Sequence, residues 1–145
     1  MDKPIIAGDT ITIPSSQDFL SDVDLFVEGT LRGYGAGESV IADIAISVSE
    51  LVNNAIIHGN RMNASKKVRV ECEILPGWLM VIVEDQGRGF KPEAVGNPLK
   101  KENLLKESGR GIFLMRTLMD KVEFESNRTG TQVRLWLDLG KQATV

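Results

Sequence analysis

The sequence is short of several things that would direct it towards particular functions. It has one cysteine, Cys72, set in an alternating apolar and charged run with no second thiol to pair with and no neighbouring cluster of ligands. That excludes an internal disulfide framework and makes Cys72 a strand residue without chemistry. Positive charge is not in excess either: 17 Lys and Arg stand against 20 Asp and Glu, for a formal net charge of -3. The basic field that nucleic-acid binding requires is missing. No run of about 18 apolar residues offers a membrane span, and the N-terminal MDKPIIAGDT lacks the basic-then-apolar layout of a secretory signal. The expectation is a cytoplasmic protein with neither nucleic acid nor membrane as a partner. Repeats, low-complexity tracts and Pro/Gly/Ser-rich linkers are lacking too. The 145 residues, 42% of them apolar, therefore read as one globular domain over 1–145 with a single core.

What is present is clear patterning. Ile5 to Ile13 alternate and become β-branched towards the end, which predicts one first strand stopped by Pro14. Ser15 or Ser16 then caps a helix that carries Phe19, Val23, Phe26, Val27 and Leu31 at helical spacing and ends in Gly33, Gly35 and Gly37. A second helix is expected from about Glu38 to His58, stopped by Gly59. Val68 to Leu75 and Trp78 to Glu84 alternate on either side of Pro76-Gly77 and predict an antiparallel hairpin. The stretch from Asp85 to Arg110 is glycine-rich and polar with little regular pattern. Helical spacing returns from Ile112 to Met119, and Val122 to Glu125 with Gln132 to Leu139 predict a last hairpin around Asn127-Arg128-Thr129-Gly130. The order β, α, α, β, β, α, β, β implies an α/β (α+β) two-layer sandwich, with helices on one face of a mixed, mostly antiparallel sheet.

The second helix carries the most informative side chains. At about 100° per residue, Ile41, Ile44, Ala45, Val48, Val52, Ala55 and Ile56 form one stripe that must face the core. Glu50 points nearly opposite, and Asn54 and His58 follow it at i+4 and i+8 as one polar column. Ile46 and Ile57 lie beside Glu50 in angle and Leu51 lies beyond Asn54, so the helix is expected to be covered on both sides. A carboxylate and an amide withdrawn from water need partners, and a bound ligand or metal is one source of them. Plain readings exist for each residue alone. Glu50 suits an ordinary exposed helix face, and Asn54 suits an amide bonding its own backbone. His58 suits a helix end favoured by the dipole, or a packed neutral ring, better than a catalyst.

Two glycine-rich segments change the weighing. Asp85-Gln86-Gly87-Arg88-Gly89-Phe90 follows a strand directly, and Gly109-Arg110-Gly111 directly precedes a helix. Each pair alone fits a plain turn. Together they suggest backbone that a flat base or a phosphate chain approaches closely, since glycine has no Cβ and permits amides to converge on an anion. Gly109 and Gly111 stand at a helix N-terminus, where free N–H groups favour phosphate oxygens, and Arg110 adds a cation there. Asp85, at a strand end, offers an acceptor for an exocyclic amine such as that of adenine.

In order, Glu50-Leu51-Val52-Asn53-Asn54-Ala55-Ile56-Ile57-His58-Gly59, Asp85 to Phe90, Ser108-Gly109-Arg110-Gly111-Ile112-Phe113-Leu114-Met115, and Gly130-Thr131 resemble the N, G1, G2 and G3 boxes of one ATPase superfamily. It contains DNA gyrase, histidine kinases and mismatch-repair MutL. The short form seen here is similar to the anti-sigma-factor serine/threonine kinases and their switch-kinase relatives, over essentially all of Ser15 to Leu139. The resemblance implies a Bergerat-type ATP-binding fold using ATP and Mg²⁺. It also implies that Asn54 places its side-chain oxygen on Mg²⁺ while phosphates and waters complete the shell, and that Glu50 is the general base for the attacking hydroxyl. Asp85 would read the adenine amino group, Gly87 and Gly89 would admit the base, and Thr131 would support the Asp85 carboxylate, directly or through water. Lys91 to Ser108 would be a lid ending in the phosphate-binding amides of Gly109, Arg110 and Gly111. Gln86, Arg88 and Arg110 are departures, none of which removes an expected catalytic group.

The implied activity is serine/threonine phosphorylation of an anti-sigma-factor antagonist, with a sigma factor as a second partner. A homodimer is expected from the apolar residues of the first strand and helix, where Val23, Phe26 and Val27 lie close together with few other places to be buried, and from what the resemblance implies. Another class of function stays open: a nucleotide-dependent regulatory binding module without phosphotransfer. A histidine-kinase catalytic half would need a phosphoacceptor hairpin for which the chain has no room, and a gyrase-like ATPase would need a transducer domain after the last strand.

Overall fold

In the computed structural model, which describes residues 2–87 and 115–142, the chain opens with a hairpin where one strand is expected. Strands β1 (Ile5–Ala7) and β2 (Thr10–Pro14) pair antiparallel, Ile6 opposite Ile11. The reversal lies at Gly8, whose φ of +60° is open to glycine because it has no Cβ to clash. Apolar residues run up to the turn and resume after it, so alternation alone does not reveal the break. Ser16 accepts the Asp18 N–H at 3.2 Å and caps a short 3₁₀ turn, Gln17–Phe19, that leads into helix α1 (Leu20–Gly33). Ser15 instead faces inward and donates to the Lys66 carbonyl at 2.7 Å.

Helix α1 buries Val23, Val27 and Leu31, one residue per turn along a single stripe. Val23 and Val27 are 1% and 0% exposed, and Phe26 packs against the same core. This corrects the part of the homodimer ground that rests on the first helix, since these side chains have found their partners within the chain, while Ile5 and Ile6 of the first strand stay exposed. Helix α2 (Glu38–Asn54) follows and widens into one π-helical turn, Ala55–Gly59, where the Asn60 N–H reaches back five residues to the Ala55 carbonyl at 2.7 Å. The expected helix over Glu38 to His58 is thus continuous but changes pitch at its end. By length and composition the stretch Glu38–Gly59 is apolar enough to cross a membrane, contrary to the expectation from the sequence. Ile41, Ile44, Val48, Leu51, Val52 and Ile56, which make it so, are buried in the core.

Strands β3 (Lys67–Leu75) and β4 (Trp78–Asp85) form the expected hairpin around Gly77, and β5 (Lys121–Asn127) and β6 (Gly130–Asp138) form the last one. A helical turn at 115–118 precedes β5, and a short helix, Leu139–Gln142, closes the described chain. The sheet order is β1-β2-β3-β4-β6-β5, with every described pairing antiparallel. One face carries Ile11, Ile13, Val68, Val70, Cys72, Val81, Val83, Val133 and Leu135 against the helices. Cys72 is 2% exposed, and burial pushes its thiol up to about 12, in keeping with a residue that only packs. The other face is a polar ladder. Arg69 bonds Glu71 and Glu84, Gln132 bonds Glu84, and Arg134 and the Trp136 indole bond Glu123.

Candidate functional site

The polar column of α2 and its π-helical turn is most deeply buried at its middle. Glu50 is half-buried, Asn54 is 4% exposed and partnered within the chain, and His58 is half-buried. Cover on both sides holds around Asn54, between buried Leu51 and half-buried Ile57, and fails further back, where Ile46 is 46% exposed. Ala45 is half-buried and lies outside the core it was expected to join. Two bonds to the preceding elements fix the rotation of the helix. Ser49 donates to Asp24 on α1 at 2.7 Å, and Gln17 donates to Asn53 at 2.8 Å. Residues one step behind Glu50 and Asn54 are thereby tied down, and the column itself is set to a fixed direction.

Asp85 ends β4 at the far end of the π-helical turn. Its Oδ1 accepts the N–H groups of Gly87 at 2.9 Å and Thr131 at 3.1 Å. Thr131 supports the carboxylate directly, through its main chain, while its hydroxyl lies 2.9 Å from that of Ser126. The other oxygen, Oδ2, accepts no hydrogen bond among the described residues. Burial pushes the Asp85 carboxyl above its ordinary range, and the two amides pull it back in part.

Three glycines let main chain close around this carboxylate. A Cβ on Gly59 would run into the Asp85 Oδ2 and Cγ, one on Gly87 would strike the Gly59 carbonyl, and one on Gly130 would strike the Asp85 carbonyl. The sequence marks Gly87 as admitting a base. It reads Gly59 only as a helix stop and does not reveal that its Cα lies against Asp85.

Asn60 is the residue that motif reasoning missed. It is 2% exposed, and every polar atom of its side chain is used. Nδ2 donates to the Ser15 hydroxyl at 2.7 Å and to the Lys67 carbonyl at 2.9 Å, and Oδ1 accepts the Gln86 N–H at 2.8 Å. Gln86 in turn accepts the Lys67 N–H on its side-chain oxygen at 2.7 Å. The helix end, the exit of β2, the start of β3 and the exit of β4 thus meet at one amide. Gly89, Gly109, Arg110, Gly111, the lid expected over Lys91 to Ser108 and the start of the helix expected from Ile112 lie outside the described residues.

This arrangement, a buried acceptor walled by glycines beside a helix with an inward polar column, has relatives. Residues 13–137 match the histidine kinase-like ATPase domain. The chain belongs to that family. Within it, the chain is 34% identical over 117 residues to the serine-protein kinase RsbW of Staphylococcus epidermidis, a match covering 76% of this chain and 74% of the relative. Among solved structures, the RsbU and RsbW domains of Rv1364c from Mycobacterium tuberculosis superpose with a TM-score of 0.66 at 21% identity, over 94% of this chain and 32% of that one. The blue-light activated histidine kinase of Erythrobacter litoralis EL346 gives a TM-score of 0.59 at 29% identity, over 76% of this chain and 34% of that one. This ATPase-domain chain therefore spans 32–34% of those two larger proteins while spanning most of the RsbW relative. The anti-sigma-factor kinase branch of the family is where its sequence places it.

Proposed function

We propose that this chain is an ATP-dependent serine/threonine protein kinase of the cytoplasm that phosphorylates an anti-sigma-factor antagonist and regulates a sigma factor by binding it. The observation that carries the reading is the Asp85 corner. One carboxylate oxygen is held by two amides while the other accepts nothing among the described residues, which suits the exocyclic amine of adenine. The RsbW relative, named a serine-protein kinase, supports the choice of a protein hydroxyl as acceptor.

The donor set suits Mg²⁺ in a limited way. The Asn54 amide oxygen is a hard donor, and no group of three His, Cys, Asp or Glu able to hold a metal lies among the described residues. A magnesium ion here would take one amide oxygen from the chain and the rest of its shell from phosphate and water. When bound, it would neutralise charge on the phosphates. Glu50, one helical turn before Asn54, is the proposed base that orients or accepts the proton of the incoming hydroxyl. Gly89 and the amides of Gly109, Arg110 and Gly111 are assigned to base and phosphate contacts by resemblance alone, and so is homodimerisation.

The test is transfer of label from Mg·ATP to a purified antagonist protein by the wild type and by Glu50→Ala. Glu50→Ala should keep nucleotide affinity while transfer falls by roughly 10²–10⁴-fold, the usual worth of a positioned base. Loss of nucleotide binding in the variant would make Glu50 structural. A wild type that binds ATP and transfers to no antagonist would leave a nucleotide-dependent binding module.

A further inference from the structure

We infer that Asn60 is a positioning residue for purine selection, acting through the Asp85–Gln86 peptide, an inference that rests on the nucleotide reading above. Asp85 can read an amine only if its Oδ2 stands at one place and one angle, because hydrogen bonds weaken steeply with misdirection. Its other oxygen is held by Gly87 and Thr131; Thr131 is already paired within the sheet, whereas Gly87 lies on the chain leaving β4, which needs an anchor of its own. The Asn60 Oδ1, 2.8 Å from the Gln86 nitrogen, supplies it from the helix side. The Gln86 side chain completes the grip at Lys67.

The same residue sets the opposite wall. Gly59, its chain neighbour, packs against the Oδ2 side of the Asp85 carboxylate, so wall and carboxylate are both positioned from one point. The chemistry also explains why asparagine stands there. Two donors and one acceptor on a short stem are needed for Ser15, Lys67 and Gln86, and the asparagine and Ser15 are themselves buried. Aspartate lacks the donors, serine lacks the reach, and leucine leaves three polar groups without this partner.

The readout that separates positioning from mere stability is discrimination between ATP and purine riboside triphosphate, which differs only in lacking the 6-amino group. Calorimetric titration of the wild type should show a preference for ATP. In Asn60→Ala the ATP affinity should fall by roughly tenfold, the loss of one well-aligned bond, while that for purine riboside triphosphate stays nearly unchanged. Asn60→Asp, which keeps an acceptor for the Gln86 N–H, should retain most of the preference even if its melting temperature drops. Should the alanine variant not fold, Asn60→Ser, too short to reach Gln86, is read the same way. Equal losses for both nucleotides, or an ATP preference that survives intact, would overturn the inference alone. A wild type that binds both nucleotides equally, or neither, would overturn the nucleotide reading and the inference with it.

Discussion

Asp85 carries a charge in a place that disfavours it, and its titration couples stability to binding. Burial raises its pKa above the ordinary value of 3.8, so the native state takes up a proton more readily than the unfolded chain. The sign follows from linkage: this residue's contribution to stability is more favourable below the ordinary pKa and is lost as pH rises through the raised one. Binding runs the other way, since a protonated Asp85 no longer offers its Oδ2 as a plain acceptor. ATP affinity of the wild type should therefore decline with falling pH from a point above the ordinary aspartate range. Asp85→Asn keeps an acceptor for the Gly87 and Thr131 amides but presents an amine to an amine. By urea titration at pH 7 it should be no less stable than the wild type, while calorimetry should show ATP binding weakened at least tenfold and without that extra pH dependence. A variant that unfolds would contradict the stability expectation, and one that binds ATP normally would remove Asp85 from the site. Glu50, Asn54 and Asp85 are visible in the sequence because spacing or a strand end singles them out. Asn60 follows a helix stop in a polar turn, where an asparagine attracts no notice.

Among the elements, the end of α1 shows how two glycines two residues apart differ. The Ala36 N–H bonds the Leu31 carbonyl at 3.0 Å and the Gly35 N–H bonds the Arg32 carbonyl at 2.9 Å, the closure in which the residue after the cap turns left-handed. Gly35 has φ +86°, whereas Gly33 is helical with open space where a Cβ would stand. Gly35→Ala should lower stability by roughly 1 kcal/mol, and Gly33→Ala should raise it by up to about 1 kcal/mol through the unfolded chain. Denaturant midpoints of the two variants should move in opposite directions; movement in the same direction would contradict the assignment. The three glycines here read correctly as a helix end. The π-helical turn after Asn54 was not legible, because a one-residue widening over a single turn leaves the apolar spacing almost unchanged. The break at Gly8 was hidden for a similar reason: three residues of β1 are too few to show a change of register.

For the whole molecule, nucleotide binding should appear as added stability. At about 100 times Kd, a ligand that binds only the native state contributes roughly 2.7 kcal/mol. The wild type should show this with Mg·ATP, and Asn54→Ala should lose the magnesium-dependent part. Asn54 is buried, so the variant's own melting temperature will also fall. The quantity to compare is the shift each protein gains on adding Mg·ATP over ATP alone, followed by scanning calorimetry. Equal gains would remove Asn54 from the metal. At this scale the fold class was legible, since alternation and helical spacing report which side of an element is wet. The part of the homodimer argument that rests on the first helix failed at the same scale. A cluster of Val23, Phe26 and Val27 says that a face is buried, but not whether the covering surface belongs to the same chain.

By itself the sequence determined most of the order of elements, though not the split of the first strand at Gly8 or the closing helical turn, along with the single-faced sheet and the motif boxes, because each of these is written in residues a few positions apart. Strand order, the walls around Asp85 and the four-way junction at Asn60 were decided only by the tertiary structure. Asn60 meets Ser15 across 45 positions and Gln86 across 26, and Thr131 meets Asp85 across 46. No local period links such residues. Sheet register and the pitch of one helical turn bring them within hydrogen-bond reach, and a shift of one residue in either would separate them.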